Sequence, residues 1–214
     1  MTVKSRIPVS RSSRTLTTSS GRFVGRAASL ARPAVRELAP VLVGTAALAL
    51  LGQVALPLPF TPVPVTLGTF AALGVGSVLG PRRGMASALL LAVLAAAGVP
   101  VLAGWSAGVT ASFGYVLGYT LAAGVAGRGA RGWLRPAGTA AGSTTSLARR
   151  VLVLGATMLL ASAVVYVPGL LWLRLATGAS WAATVGMGLV PFVVGDLLKS
   201  LAVAGLVPVR SIWR

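Results

Sequence analysis

The sequence predicts an all-α integral membrane protein, a compact bundle of six transmembrane helices with both termini in the cytoplasm. Three observations lead there. Hydrophobic residues make up 56% of the 214, mean hydropathy is +0.88 and only 10% of residues are charged, a balance that a soluble domain of this length does not carry on its surface. Six apolar stretches follow one another along the chain. The basic residues gather outside those stretches, in alternate connectors.

Taken in order, residues 1–37 are rich in Ser, Thr and Arg and hold too few bulky apolar side chains to build a core, so they are expected to form a disordered cytoplasmic tail, either simply solvated or drawn to anionic lipid headgroups. A cleavable signal peptide is not expected, because the first long apolar run begins only near residue 38 and continues for a whole crossing. Residues 38–208 form the expected transmembrane domain, with helices over 38–56, 65–80, 84–99, 110–127, 151–176 and 182–206. Each is expected to be helical because a segment in lipid must satisfy its own backbone hydrogen bonds. The second and third are short for a full crossing of about 20 residues, which implies a compact bundle with thin or tilted members. Residues 209–214 remain as a short basic cytoplasmic end.

The connectors set the orientation. Pro57-Leu58-Pro59-Phe60-Thr61-Pro62-Val63-Pro64 is uncharged and cannot be helical. Pro81-Arg82-Arg83 is a basic turn, residues 100–108 are uncharged, residues 128–150 contain five arginines and residues 177–180 are uncharged. With eight further basic residues before position 37 and two at the C-terminus, a cytoplasmic N-terminus places all basic residues inside except Arg174 and Lys199, as the positive-inside rule asks. The protein is therefore expected in the cytoplasmic membrane of a bacterium as a multi-pass protein.

Composition also removes function classes. The chain has no Cys and no His, which excludes thiolate nucleophiles, imidazole acid/base chemistry and the usual zinc sites. Glu37 and Asp196 are the only acids, so paired-carboxylate hydrolysis is excluded as well. No enzyme, metal or cofactor is expected. The net charge of +17 reads as topology and not as nucleic-acid binding, since no aromatics are interleaved with the arginines of the tail.

Asp196 and Lys199 stand out against this background, in the apolar run 189–202. A charge at the centre of a membrane helix costs roughly 2.5–3.5 kcal/mol even on lenient insertion scales. Three residues apart, the two share a helix face, either as a ligand site or as an ion pair that only holds the last helix. Small-residue runs such as Ala122-Ala123-Gly124-Val125-Ala126 point to close helix packing, internal or with another membrane subunit.

The ordered series Pro62-x-Pro64-x-Thr66, Leu79-Gly80-Pro81-Arg82-x-Gly84, Gly98-Val99-Pro100-Val101-Leu102-Ala103-Gly104, Phe113-Gly114-Tyr115-x-x-Gly118-Tyr119 and Pro191-Phe192-x-x-Gly195-Asp196-x-x-Lys199 resembles the BioY family, the biotin-specific S components of energy-coupling factor (ECF) transporters. The resemblance covers residues 38 to about 208. It implies the ECF S-component fold and high-affinity capture of biotin from outside. It also implies a transmembrane T component and two cytoplasmic ATP-binding subunits as partners. Energy would come from those partners, because no Gly-x-x-x-x-Gly-Lys-Ser/Thr loop is present. The alternative is an S component or small-solute transporter for a different vitamin.

The chemistry of the ligand agrees with the resemblance. The ureido ring of biotin has two N–H donors and one carbonyl acceptor, which a carboxylate and an ammonium group can meet. The resemblance places Asp196 and Lys199 in the pocket without settling which ligand atom each meets. Ser106, Ser112 and Tyr115 are expected to add hydrogen bonds, and Trp105 and Phe113 to cover the apolar bicycle, although Trp105 is equally suited to anchoring at the outer interface. The loop with Pro57, Pro59, Pro62 and Pro64 is expected to gate the outer pocket. Thr45 and Ala49 are expected to contribute to the face that docks the T component.

Overall fold

The structure is a computed structural model that describes residues 37–134 and 147–212. The basic tail expected over residues 1–37 lies outside the described residues apart from Glu37, which opens the first helix. All six apolar stretches are helical. Helix α1 spans Glu37–Gly52, α2 Gly68–Leu79, α3 Pro81–Ala96 and α4 Phe113–Leu134. The fifth stretch consists of α5 (Leu147–Val164) and α6 (Tyr166–Thr177), and the sixth of α7 (Trp181–Gly188) and α8 (Val193–Ile212).

The differences from expectation have local causes. The proline-rich loop is anchored by a two-rung antiparallel ribbon, β1 (Ala55–Leu56) with β2 (Val65–Thr66), pairing Ala55 with Thr66 and Leu56 with Val65. The second helix consequently starts at Gly68 and not at 65. The fifth stretch stays one continuous span with a lapse at a single residue, whereas the sixth is bent. Pro168 has no N–H for the Val164 carbonyl, so the helical bonding lapses at Val165, which keeps helical φ −60° and ψ −33°. Pro191 does more to the sixth stretch, where residues 189–192 leave helical geometry and separate α7 from α8 with a bend of 46°. Ser180 caps α7 by accepting from the Ala183 N–H. Helix α8 continues to Ile212, past the boundary expected at 208, so most of the short C-terminal end is helix.

Leu152–Thr177, with mean hydropathy 1.9, is the one stretch among the described residues that is long and apolar enough by itself to cross a membrane. The bent pair Trp181–Gly188 and Val193–Leu206 makes a second if taken as one span, and α1 and α2 are apolar but shorter.

Helix α4 packs against α2, α3, α5 and α6. Its inward face is Ala122, Ala123, Ala126 and Ala130, all fully buried, so these small residues serve internal packing. Gly76 and Gly84 bring α2 and α3 into backbone contact: a Cβ at Gly84 would lie 2.7 Å from the Gly76 Cα. Between them, Gly80 takes φ +82°, and a side chain there would strike the Arg131 guanidinium. Thr45 and Ala49 are a correction. They are only 5% and 8% exposed, and the Thr45 hydroxyl lies 2.9 Å from the Val41 carbonyl and 3.0 Å from that of Ser87 on α3. Both face the inside of the bundle and cannot form a docking surface.

The basic turn expected at Pro81 is found, with Pro81 in the first turn of α3, where its missing N–H costs nothing. Arg83 donates Nε and Nη2 to the two carboxylate oxygens of Glu37 at 2.9 and 2.6 Å. Those bonds hold the Glu37 carboxyl below the usual carboxylate range.

Candidate functional site

A cavity of about 70 Å³ lies among all six helical stretches. Leu48 and Gly52 come from the end of α1, Thr66 and Thr69 from the β2–α2 junction and Leu91 from α3. Tyr115 and Tyr119 come from α4, Tyr166 from the start of α6, and Phe192, Asp196 and Lys199 from the α7–α8 break and the first turns of α8. Val165 and the bend before α8 therefore both lie in the cavity wall.

The polar centre is a three-residue chain. Lys199 Nζ donates to Asp196 Oδ1 at 3.0 Å, and Tyr166 Oη donates to Asp196 Oδ2 at 2.5 Å. The Asp196 and Lys199 side chains are each 11% exposed. Taking two charges out of water costs several kcal/mol per ion, and the pair persists only because each charge has a close partner. The cluster is formally neutral. It offers carboxylate and phenol lone pairs on one side and spare ammonium hydrogens on the other.

Around it stands an aromatic wall. Tyr115 lies edge-on to Tyr166 with centroids 6.2 Å apart and tilted against Phe192 at 6.3 Å. The Tyr115 hydroxyl donates to the Gly188 carbonyl at 2.8 Å, which satisfies a carbonyl left free where α7 ends. Tyr119 reaches Thr66, hydroxyl to hydroxyl, at 3.5 Å.

Four of the seven residues expected in the ligand site are brought together here: Asp196, Lys199, Ser112 and Tyr115. Three are not. Trp105 is 57% exposed on a turn with φ +55°. Ser106 is exposed too, and its hydroxyl closes the same turn on the Ala103 carbonyl at 2.8 Å. Phe113 is buried in the core against Trp172, edge-to-face at 5.8 Å. The short 106–115 segment is held by bonds within its turns and by bonds to Ala95 and Trp172, and only Ser112 and Tyr115 of it reach the cavity.

Of the loop prolines, Pro64 lines both the cavity and an adjoining outer chamber of about 390 Å³, Pro57 and Pro62 line that chamber, and Pro59 is exposed and lines neither. Ala103 is the other residue common to both spaces. Gln53, at the end of α1, braces this region. Its Nε2 donates to the Ala49 and Leu102 carbonyls at 3.0 and 3.1 Å, and its Oε1 accepts from the Trp105 N–H at 3.0 Å.

Sequence reasoning passed over Gln53, Tyr119 and Tyr166 as site residues. The signal for two of them was present: the chain has three tyrosines, each inside an apolar stretch, and all three line the cavity. Tyr115 and Tyr119 also share a helix face by their four-residue spacing.

A helical bundle with a buried, net-neutral polar cluster at the bottom of a cavity is the architecture of a membrane subunit that binds a solute. The fold matches that of the S-component for biotin from an ECF-type ABC transporter, known from its crystal structure, with a TM-score of 0.64 at 23% identity over 82% of this chain and 90% of that one. The chain belongs to the BioY family, whose profile matches residues 18–214. Similar curated proteins are the "Biotin transporter BioY" of Rhodobacter capsulatus, 37% identical over 72% of this chain and 80% of that one, and the "Probable biotin transporter BioY" of Pyrococcus horikoshii, 33% identical over 65% and 75%. As a member of this family the protein is a transport component and not an enzyme.

Proposed function

We propose that the protein captures biotin outside the cell and passes it inward as the S component of an ECF transporter, together with a transmembrane T component and two cytoplasmic ATP-binding subunits. The observation that carries this reading is the neutral Lys199–Asp196–Tyr166 cluster inside an aromatic cavity. A cyclic urea has two N–H donors and one carbonyl and bears no charge, and such a cluster meets all three groups without an unpaired ion. Asp196, Lys199, Ser112 and Tyr115 would contact the ligand, with Tyr119, Tyr166 and Phe192 beside them. The loop from Pro57 to Pro64 would gate the way in. No cofactor or nucleic acid has a part in this function.

The same reading makes this a multi-pass protein of the cell membrane, with six crossings from residue 38 to near the C-terminus, a basic tail before them, and both termini in the cytoplasm. The lapse in the fifth stretch and the bend in the sixth fit it, because each stays within one crossing. The lipid bilayer then covers the apolar outer face, which includes Leu175, Val194 and Leu198.

Calorimetric titration tests the ligand: biotin binds, while thiamine and riboflavin do not. Titration of folded protein with no biotin signal, or with a thiamine signal instead, removes the proposal. Topology is tested by single cysteines, which have no background because the chain has none. An impermeant reagent should label Pro59→Cys in intact cells and leave Arg82→Cys unlabelled.

A further inference from the structure

We infer that the site reads only the ring end of its ligand and leaves the acid end unread, so that neutral side-chain amides of biotin are ligands alongside the free acid. The inference rests on the biotin reading above and names the wider class of substrate that the same site admits.

Charge is the first ground. Among the described residues, Lys199 is the only cation lining the inner cavity, and it lies 3.0 Å from Asp196, the only anion there. A ligand carboxylate brought to Lys199 would lie beside the Asp196 carboxylate, and two like charges at that separation in a poorly solvated space repel strongly. A neutral cyclic urea meets no such opposition, so the ring goes to the bottom and the acid chain points away.

Room is the second ground. The inner cavity, about 70 Å³, shares Pro64 and Ala103 with the adjoining chamber, so a ligand seated at the cluster has a way to extend its acid chain beyond it. Past Pro64 and Ala103 the acid chain meets the larger chamber of about 390 Å³.

The lining of that chamber is the third ground. Among the described residues it contains no charged side chain, and its polar side chains are Gln53 and Thr61. The Gln53 amide is bound at both ends, as described above, while Thr61 Oγ1 accepts from the Val63 N–H at 3.1 Å and keeps one hydroxyl hydrogen, which a carboxylate oxygen and an amide carbonyl can both accept. Arg174 stacks over the Trp181 ring at 4.5 Å and lines neither space. A carboxylate that arrives in this chamber gains no ion pair among the described residues, and an amide in its place loses none.

The test is calorimetric titration of the unmodified protein in detergent with biotin, with its primary carboxamide, and with the cyclic guanidine analogue 2-iminobiotin in its protonated form. The carboxamide is expected to bind within about threefold of biotin, since neither terminal group meets a charge. The guanidine is expected to bind at least about tenfold more weakly, because it brings positive charge against Lys199 and removes the carbonyl acceptor. A carboxamide weakened more than about tenfold while biotin binds, the size of a lost charge-assisted bond, shows that a cation reads the acid and overturns this inference alone. A guanidine that binds as well as biotin also overturns it, because the ring end is then not read at the cluster. Failure of biotin itself to bind overturns the functional reading and this inference together.

Discussion

The chain has two acids, and each is ion-paired in a different setting. Glu37 meets Arg83 where α1 and α3 begin, with side chains 65% and 39% exposed, whereas Asp196 meets Lys199 in the cavity wall at 11% each. The first pair has the better geometry, two hydrogen bonds at 2.9 and 2.6 Å against one at 3.0 Å. Yet water competes for every atom of it, and exposed pairs contribute little for that reason. The second pair is largely shielded from solvent, and Tyr166 joins it as a third member. Bond count and shielding thus run in opposite directions, and on the proposed function it is the shielded pair, not the better-bonded one, that a ligand would meet.

The largest effect is expected where that contrast is attacked directly. Asp196→Asn keeps the size and one acceptor but removes the charge, and loss of a charge-assisted hydrogen bond costs about 1.5–3 kcal/mol. Biotin affinity should fall roughly ten- to a hundredfold. The change also leaves Lys199 buried without its counter-ion, so the apo melting temperature should drop in the same preparation. A drop in stability with affinity unchanged would make the pair a structural tie and remove Asp196 from the site.

Tyr166→Phe comes next. It removes one hydrogen bond to Asp196, worth about 1.5–3 kcal/mol at most because the acceptor is charged. A loss of about fivefold or more in biotin affinity is expected. The informative measurement is the double variant. If Tyr166 acts by holding Asp196, adding Tyr166→Phe to Asp196→Asn costs little further affinity, because residues in one network are not additive. Independent, additive losses would mean that the phenol has a role of its own.

Trp105→Ala and Ser106→Ala ask whether the exposed turn shares in recognition. Neither side chain lines the cavity, and the turn is also held by Gln53. Biotin affinity should stay within about twofold of wild type, as for surface changes that stay within about ±0.5 kcal/mol. A tenfold loss would bring the turn back into the site.

These outcomes bear on how much was legible beforehand. Asp196 and Lys199 were legible because charge inside an apolar run is costly and is rarely kept without a role. The six helical stretches were legible from apolar runs and prolines. The lapse and the bend were not placed, although Pro168 and Pro191 were in view, because proline is common in membrane helices and only packing decides whether it kinks or interrupts one. Trp105 and Phe113 were assigned by position in a segment whose turns follow from hydrogen bonds to Gln53 and Trp172, and sequence does not show which aromatic turns inward. Thr45 and Ala49 were paired by their four-residue spacing, which puts them on one helix face without showing that this face turns into the bundle. Tyr166 was missed because its role depends on meeting Asp196 from thirty positions away.

The smallest effect is expected at the exposed pair. Since Arg83 holds the Glu37 carboxyl below its ordinary range, the folded state favours the ionised form. Whatever stability that supplies is fully present above the ordinary carboxylate range and is lost as pH falls through the lowered value. Glu37→Gln should therefore leave biotin affinity unchanged and lower the melting temperature only slightly at neutral pH, by less than Asp196→Asn does. The difference between wild type and variant should close on acidification, because a protonated Glu37 carboxyl and a glutamine amide are then alike in charge. Thermal scans of both proteins from neutral pH down through the carboxylate range measure this. A large gap at neutral pH that persists in acid would mean that Glu37 acts through something other than its charge, and the contrast between the two pairs would no longer be one of hydration.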